Sequence, residues 1–460
     1  MSTAKRTRRA PTKPTPGRAT ARAASEVAAP MLLADLLAPL SVARFASEHA
    51  DRKPLHLPAG AAKRRRVQAF FDRERFARAI AQGHAATRGG SAEGFSLRAI
   101  FPPAHEGPVE IPIAPHQVDT LLGAGASVCV HDIHRADHAL AALVSAAKHE
   151  LSCVGQVGMS CYVSPAGHGL TTHFDAQAVL TLQVEGAKVW RYSEEPAVSV
   201  PRANAVLEAS GKVEWTGEPL GDLPFPEIAP PTARMREVEL TPGDVLYLPA
   251  GHWHETLAGS PSMGLVLYFV PLSFSAFLER WLWSCFEDND AWIRGLPAST
   301  IAPGRVMQGV PGPVAAYLAA RLDELRAMLS EVDAGDVQLA RVWRRFVAQG
   351  SPAPAPVHAG PVRKGDLLRV VAPHLVSALQ GKGEGEGAGI HLCVGDREID
   401  LPASFAPLVR EVLGGGAFRA GSIAGMAWKE AREALEVLLT EGVLERVDAA
   451  QAGAGTTGSG

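Results

Sequence analysis

Residues 162–192 read YVSPAGHGLTTHFDAQAVLTLQVEGAKVWRY. Within them AVLTLQVE (178–185) and KVWRY (188–192) are rich in β-branched and alternating residues and are separated by a Glu-Gly turn, which predicts two short neighbouring strands. His173-Phe174-Asp175 lies just upstream. On a strand, residues i and i+2 project from one face, so this spacing sets an imidazole beside a carboxylate. Lys188 follows 15 positions after His173 (188 − 173), and an antiparallel neighbour strand turns its ammonium back toward the same pocket.

A third metal ligand must come from elsewhere, and VLYLPAGHWHETLA (245–258) supplies it. His254 follows a Pro-Gly-Asp turn and a Pro-Ala-Gly bend. His252, two residues earlier, competes with it, and the spacing after the bend favours His254. Two histidines and one carboxylate occupy one face of an octahedron and leave positions open, the arrangement of non-haem iron(II) oxygenases. The open positions would take 2-oxoglutarate and dioxygen, and a buried Lys188 would pair with the far carboxylate of 2-oxoglutarate. A His-x-Asp tripeptide alone is weak support; the surrounding block carries the weight.

Further outward, SVCVHDI, MSCYVSP, REVELTPGD, VLYLPAG and MGLVLYFV extend the alternating pattern over about 127–269, interrupted by the helical ADHALAALVSAAKHEL (136–151). Short strands punctuated by turns predict an antiparallel sandwich or barrel. Upstream, residues 32–57 predict two short helices and an extended Pro54–Leu57 stretch. Val67–Gln82 predicts one amphipathic helix, followed by a loop-rich segment to about Val118. Beyond Pro271 the period becomes helical in residues 274–293, 312–332 and 337–349, which predicts a helical bundle. SPAPAPVHAGP (351–361) has the composition of an extended linker. A small α+β unit follows, with a helix at 365–379, a hairpin at 390–402 and helices at 405–413 and 428–442. The expected organisation is a disordered basic tail at 1–29, a catalytic domain at 30–271, a helical region at 272–350, the linker at 351–361, a last domain at 362–449 and a flexible tail at 450–460.

The chain is 47% hydrophobic and 20% charged with net charge −3, which excludes fibrous and wholly disordered classes. Its five cysteines form no Cys-x-x-Cys pair, so neither a disulfide framework nor a thiolate zinc site is expected, and a reducing cytoplasm fits. No apolar run reaches the ~18 residues of a membrane span, and the first 30 residues lack a secretory apolar centre. The basic opening, MSTAKRTRRAPTKPTPGRATARAAS, could hold RNA or a ribosome electrostatically, although solvated arms without a partner are common. Lys63–Arg66 reads as a solvated helix face.

The chain resembles the JmjC oxygenases, in particular their cupin-like ribosomal-oxygenase branch. The resemblance runs from about Ala34 to Val447 and rests on ADRKPLHL (50–57), the Tyr162–Tyr192 block, LTPGDVLYLPAGHWHE (240–255) and ALEVLLTEGVLERV (434–447). It implies a mixed β and α fold: a double-stranded β-helix (cupin, jelly-roll) core, then a helical dimerisation region and a C-terminal winged-helix-like domain. It implies iron(II) held by His173, Asp175 and His254, 2-oxoglutarate held by Lys188, and Tyr162 in the cosubstrate pocket. No catalytic residue beyond the metal centre is implied. The activity implied is hydroxylation of an unactivated C–H bond coupled to decarboxylation of 2-oxoglutarate to succinate. Relatives act on protein side chains, often of ribosomal proteins, and a homodimer is expected.

Other readings remain open. A tailoring enzyme acting on a peptide or metabolite would share the metal chemistry, whereas a non-catalytic cupin-fold binding protein would be expected to have lost at least one of the four site residues. His131, His134 and His138 would share a face as a zinc site if helical, but they fall at a strand-to-helix junction without a Cys or Glu partner. His168, in a glycine loop over the pocket mouth, reads as a surface histidine within reach of substrate. Trp190 and Trp253 read as core aromatics.

Overall fold

The computed structural model describes residues 30–90, 94–101, 109–216, 225–231, 235–298, 309–333, 335–357, 360–380 and 389–447. The basic tail at 1–29 and the segment at 450–460 lie outside the described residues. The N-terminal third supplies α1 (Leu33–Leu37), α2 (Val42–Glu48), β1 (Leu55–Leu57), α3 (Ala61–Phe70), α4 (Arg73–Arg88), β2 (Ser96–Phe101), β3 (Val109–Pro112), α5 (Val118–Gly123), β4 (Ser127–His131) and α6 (His138–Glu150). The central region supplies β5 (Gln156–Ser164), β6 (His173–Phe174), β7 (Ala178–Glu185), β8 (Lys188–Tyr192), β9 (Asn204–Leu207), β10 (Val213–Thr216), β11 (Arg236–Leu240), β12 (Val245–Leu248), β13 (His254–Ala258) and β14 (Ser262–Val270).

These strands form two antiparallel sheets, ordered β1-β12-β7-β14-β5-β4-β2-β3 and β10-β9-β6-β13-β8-β11. Alternation along the strands of the larger sheet sorts their side chains. Leu180 and Leu182 of β7, Met263, Leu265 and Leu267 of β14, and Met159, Cys161 and Val163 of β5 join the main core, which also takes residues of α1 to α6. The alternate residues, Val179, Thr181 and Gln183 of β7, Ser160 and Tyr162 of β5, and Val266 and Tyr268 of β14, line a cavity between the sheets. Because both faces are covered, β7 is buried along nearly its whole length. The smaller sheet closes on it through Trp190, Tyr192 and Leu240, packed with Val179, Leu246, Leu248 and Val266. Its outer face meets solvent, where Arg191 pairs with Glu237 and Glu255. Mixed α/β content and antiparallel sheets of the cupin kind are therefore present.

Several local expectations change. Val67–Gln82 is two helices broken at Phe71-Asp72, because the Asp72 carboxylate accepts the Arg75 amide at 2.8 Å and starts α4 afresh. The supposed loop region before Val118 contains β2 and β3. Of Lys63–Arg66, the three arginines are exposed as expected of a solvated face, while Lys63 donates to the Leu36 carbonyl, Arg64 to that of Pro242 and Arg66 to Asp35.

Beyond the sheets lie α7 (Phe274–Phe286), α8 (Asp290–Ile293), α9 (Gly312–Glu331) and α10 (Val337–Ala348), then β15 (Leu367–Val370), β16 (Val376–Gln380), β17 (Ile390–Val394), β18 (Arg397–Leu401), α11 (Ala406–Leu413), β19 (Ala417–Arg419), α12 (Trp428–Thr440) and β20 (Leu444–Arg446). The helix expected at 365–379 is absent: β15 and β16 stand there, separated by a 3-10 turn at Pro373, since proline breaks a helix interior and Leu368 and Val370 alternate into the domain core. Residues 351–357 are tethered rather than free, with Ser351 buried and bonded to Ser145 at 2.8 Å, and the Val357 amide donating to the Thr440 carbonyl. Among the described residues, no helix is long and apolar enough to cross a membrane.

Candidate metal centre

His173 and His254 are cross-strand partners on β6 and β13, which places two imidazoles side by side on the inner face of the smaller sheet. Their ring centroids are 4.1 Å apart. Asp175 shares the face of His173, while Phe174 between them turns outward to pack with Trp253. The Pro-Ala-Gly bend delivers His254. Gly251 there has φ +76° and donates its amide to the Asp175 carbonyl at 2.9 Å, and an added Cβ would lie 2.0 Å from the Val198 carbonyl oxygen.

One ligand atom from each of His173, Asp175 and His254 falls within 4.8 Å of the others, and they are the one such metal-binding group among the described residues. The Nδ1 of His173 lies 2.7 Å from the Thr171 carbonyl and that of His254 lies 2.9 Å from the His252 carbonyl. A carbonyl only accepts, so Nδ1 of each ring donates to it and Nε2 is the nitrogen left to face the shared point. Burial first, and then the neighbouring His173, push His254 down to about 4, with Asp175 opposing. The imidazole is thus neutral at pH 7, so its 3.6 Å approach to the Asp175 carboxylate is not an ion pair. His252 lies outside the group, with Nδ1 3.3 Å from the Ala250 carbonyl.

The cavity above this trio measures about 900 Å³. Lys188 enters it from β8, only 6% exposed, and donates to Ser164 Oγ at 3.1 Å, a hydroxyl that also receives Ser127 Oγ at 3.0 Å. No carboxylate among the described residues pairs with it. Burial pulls its ammonium down to about 8, opposed by the Cys161 and Cys129 sulfurs. Thr181 Oγ1, Trp190 Nε1 and Gln183 Oε1 belong to cavity-lining residues and are buried without a partner. A cation without a carboxylate partner, with the orphaned donors Thr181 Oγ1 and Trp190 Nε1 on the same cavity wall, fits a small anion carrying several oxygen atoms. Tyr162 lines the same cavity, and its hydroxyl is held well above its ordinary range by the Cys129 sulfur, then by burial and by Asp175.

Trp190 is more than a core aromatic, because its ring stacks on His254 at 5.8 Å and forms cavity wall. Trp253 is core. His131, His134 and His138 do not converge: His131 contacts Cys129, His134 accepts the Met159 amide through Nδ1 at 3.2 Å, and His138 opens α6. His168 packs over Gly125, away from the cavity lining. Sequence reasoning missed Ser164, Thr181 and Gln183; their place on the cavity face follows from strand parity once the strands are identified.

Residues 142–275 match the model of the JmjC domain. The match covers under a third of the chain. All three clustered residues and Lys188 lie within it. YxbC of Bacillus subtilis is 34% identical over 115 residues, covering 24% of this chain and 32% of that protein. Ribosomal oxygenase 2 of Bos taurus is 36% identical over 100 residues, 22% of this chain and 17% of that protein. The chain thus spans a third or less of the length of these curated relatives. An X-ray structure of YcfD from Escherichia coli aligns with TM-score 0.52 at 17% identity, over 89% of this chain and 98% of that one. The same protein, described as a ribosomal oxygenase in complex with cobalt and 2-oxoglutarate, aligns at 0.50 with 17% identity, over 89% of this chain and 99% of that one. At such identity the likeness is one of fold, and it extends beyond the JmjC domain.

Proposed function

We propose that this protein is an iron(II)- and 2-oxoglutarate-dependent oxygenase that hydroxylates a side chain of a protein substrate, with ribosomal proteins the first class to test. The carrying observation is the convergence of His173, Asp175 and His254, with both Nε2 atoms free, beneath a cavity whose one buried ammonium, Lys188, has no carboxylate partner. A ligand set of two histidines and one carboxylate suits iron(II) and leaves coordination positions open. Bound there, iron and 2-oxoglutarate supply the oxidising chemistry. The chain's own residues do the positioning. The carbonyls of Thr171 and His252 fix the ring tautomers, Trp190 braces His254, Lys188 and Ser164 receive the far carboxylate of 2-oxoglutarate, and Tyr162 borders the same pocket.

The fold likeness to YcfD and the identity to ribosomal oxygenase 2 support the substrate class. The same reading takes 272–350 as a dimerisation region, 362–449 as a winged-helix-like domain and the cytoplasm as its compartment, and leaves the basic 1–29 tail open between a nucleic-acid contact and a solvated arm. Anaerobic iron(II) titration with 2-oxoglutarate, followed by a succinate assay over candidate ribosomal proteins, tests it. Stoichiometric binding and substrate-dependent succinate are expected; a chain that binds neither would refute it.

A further inference from the structure

Cys129 and Tyr162 are direct partners across β4 and β5. Strand parity puts both on the cavity side of the larger sheet, since Val128 and Val130, which flank Cys129, and Cys161 and Val163, which flank Tyr162, belong to the opposite core. Cys129 is wholly buried, its sulfur lies 3.5 Å from His131 Nε2, and its register pairing sets its side chain beside that of Tyr162. Tyr162 lines the same cavity as His173, Asp175 and His254 and lies close enough to feel the Asp175 charge. Directly opposed residues on one face have Cβ atoms about 4.5–5.5 Å apart, which brings the Cys129 sulfur within reach of the ring carbon ortho to the Tyr162 hydroxyl, where a C–S bond can form. Cys161, by contrast, faces away and has no such partner.

We propose that Cys129 and Tyr162 are a self-modification site, at which dioxygen activated at the proposed iron centre joins the cysteine sulfur to the tyrosine ring as a thioether. The S–H bond and one ortho C–H bond are lost and one C–S bond forms. The two protons and two electrons released reduce dioxygen to hydrogen peroxide, so the step balances without a further reductant. The link would fix the Tyr162 ring against the cavity wall and remove the one thiol on that face closest to the oxidising centre. The inference rests on the iron-site reading above.

The test uses the full-length protein incubated with iron(II) and 2-oxoglutarate in air, then denatured, reduced, digested and analysed by mass spectrometry. The expected product is a joined pair of peptides containing Cys129 and Tyr162, two hydrogen atoms lighter than their sum and resistant to thiol reductants. Titratable thiols in the denatured, reduced protein should fall from five to four as it forms. Anaerobic samples, Asp175→Ala, Cys129→Ser and Tyr162→Phe should give no joined peptide. Protein that binds iron and turns over 2-oxoglutarate while keeping five thiols overturns the cross-link and leaves the oxygenase reading standing. A joined peptide in Asp175→Ala would show that oxidation does not come from this centre, and a wild-type chain that binds no iron removes both readings.

Discussion

The two-sheet region and the helices beyond it bury their apolar residues to very different degrees. In the sheets, β7 and β14 place one set of side chains in a core shared with six helices and the alternate set around a cavity, so most apolar residues there are covered within the chain. The 20-residue α9 has no buried residue at all, and Phe274, Trp283, Leu322 and Leu329 stand 46–76% exposed. A helix gains little stability from propensity alone and depends on burying an apolar face. The contrast teaches that the two-sheet region covers its apolar residues within the chain, whereas the helical region leaves apolar surface uncovered, as the proposed dimer requires.

That contrast can be broken at its strongest point first. Asp175→Ala leaves two neutral imidazoles and should abolish stoichiometric iron binding, measured by metal analysis after anaerobic loading, while leaving the association state in light scattering unchanged. His254→Ala should act likewise, and His252→Ala, outside the trio, should be far milder. Equal losses at 252 and 254 would dissolve the proposed ligand set.

Next in size are losses confined to one region. Lys188→Ala should keep near-normal iron yet weaken 2-oxoglutarate binding by about a hundredfold or more, from the ~3–5 kcal/mol typical of removing one partner of a desolvated charged pair. Calorimetry showing unchanged affinity would place the cosubstrate elsewhere. Leu265→Ala, at a fully buried position in the main core, should cost about 2–5 kcal/mol in urea unfolding. Leu322→Asp on α9 should change unfolding of the monomer by no more than about 0.5 kcal/mol but convert a dimer to a monomer in light scattering. If the wild-type chain is a clean monomer at micromolar concentration, the helical region needs another explanation.

The smallest effect is one of pH. The proposed contact of Lys188 with 2-oxoglutarate needs the ammonium, the form present below its pKa, so affinity should weaken as pH rises above about 8, by up to about tenfold per unit. The stability term has the opposite sense. The folded value lies below the ordinary 10.5, so the folded state favours the neutral amine, and that stabilisation is lost as pH falls from about 10.5 to about 8. Flat binding between pH 7 and 9 would argue against an ammonium contact.

Much of the candidate site was legible because it depends on local periodicity. His-x-Asp on a strand must present both groups to one side, and the bend before His254 is written in Pro249, Ala250 and Gly251. Elsewhere local pattern misled. GDLLRVVAPHLVSAL has enough leucine and valine to mimic a helix, yet pairing of β15 with β19 and β20, and of β16 with β17, claims it for two sheets. Asp72 splits a helix whose apolar spacing runs on unbroken.

By itself the sequence determined the strand parity of residues 173–188, the turn chemistry that returns the chain at 249–251 and the apolar stripes of the later helices, since each rests on neighbours within a few positions. Only the tertiary structure decided that His173 opposes His254, that Lys188 meets Ser164 and no carboxylate, that Trp190 braces a ligand ring, and that Cys129 opposes Tyr162. Those contacts join segments tens of residues apart through hydrogen-bonded register. A shift of one residue in any of those strands would turn every one of its side chains to the other face, and nothing in the local pattern names the partner strand.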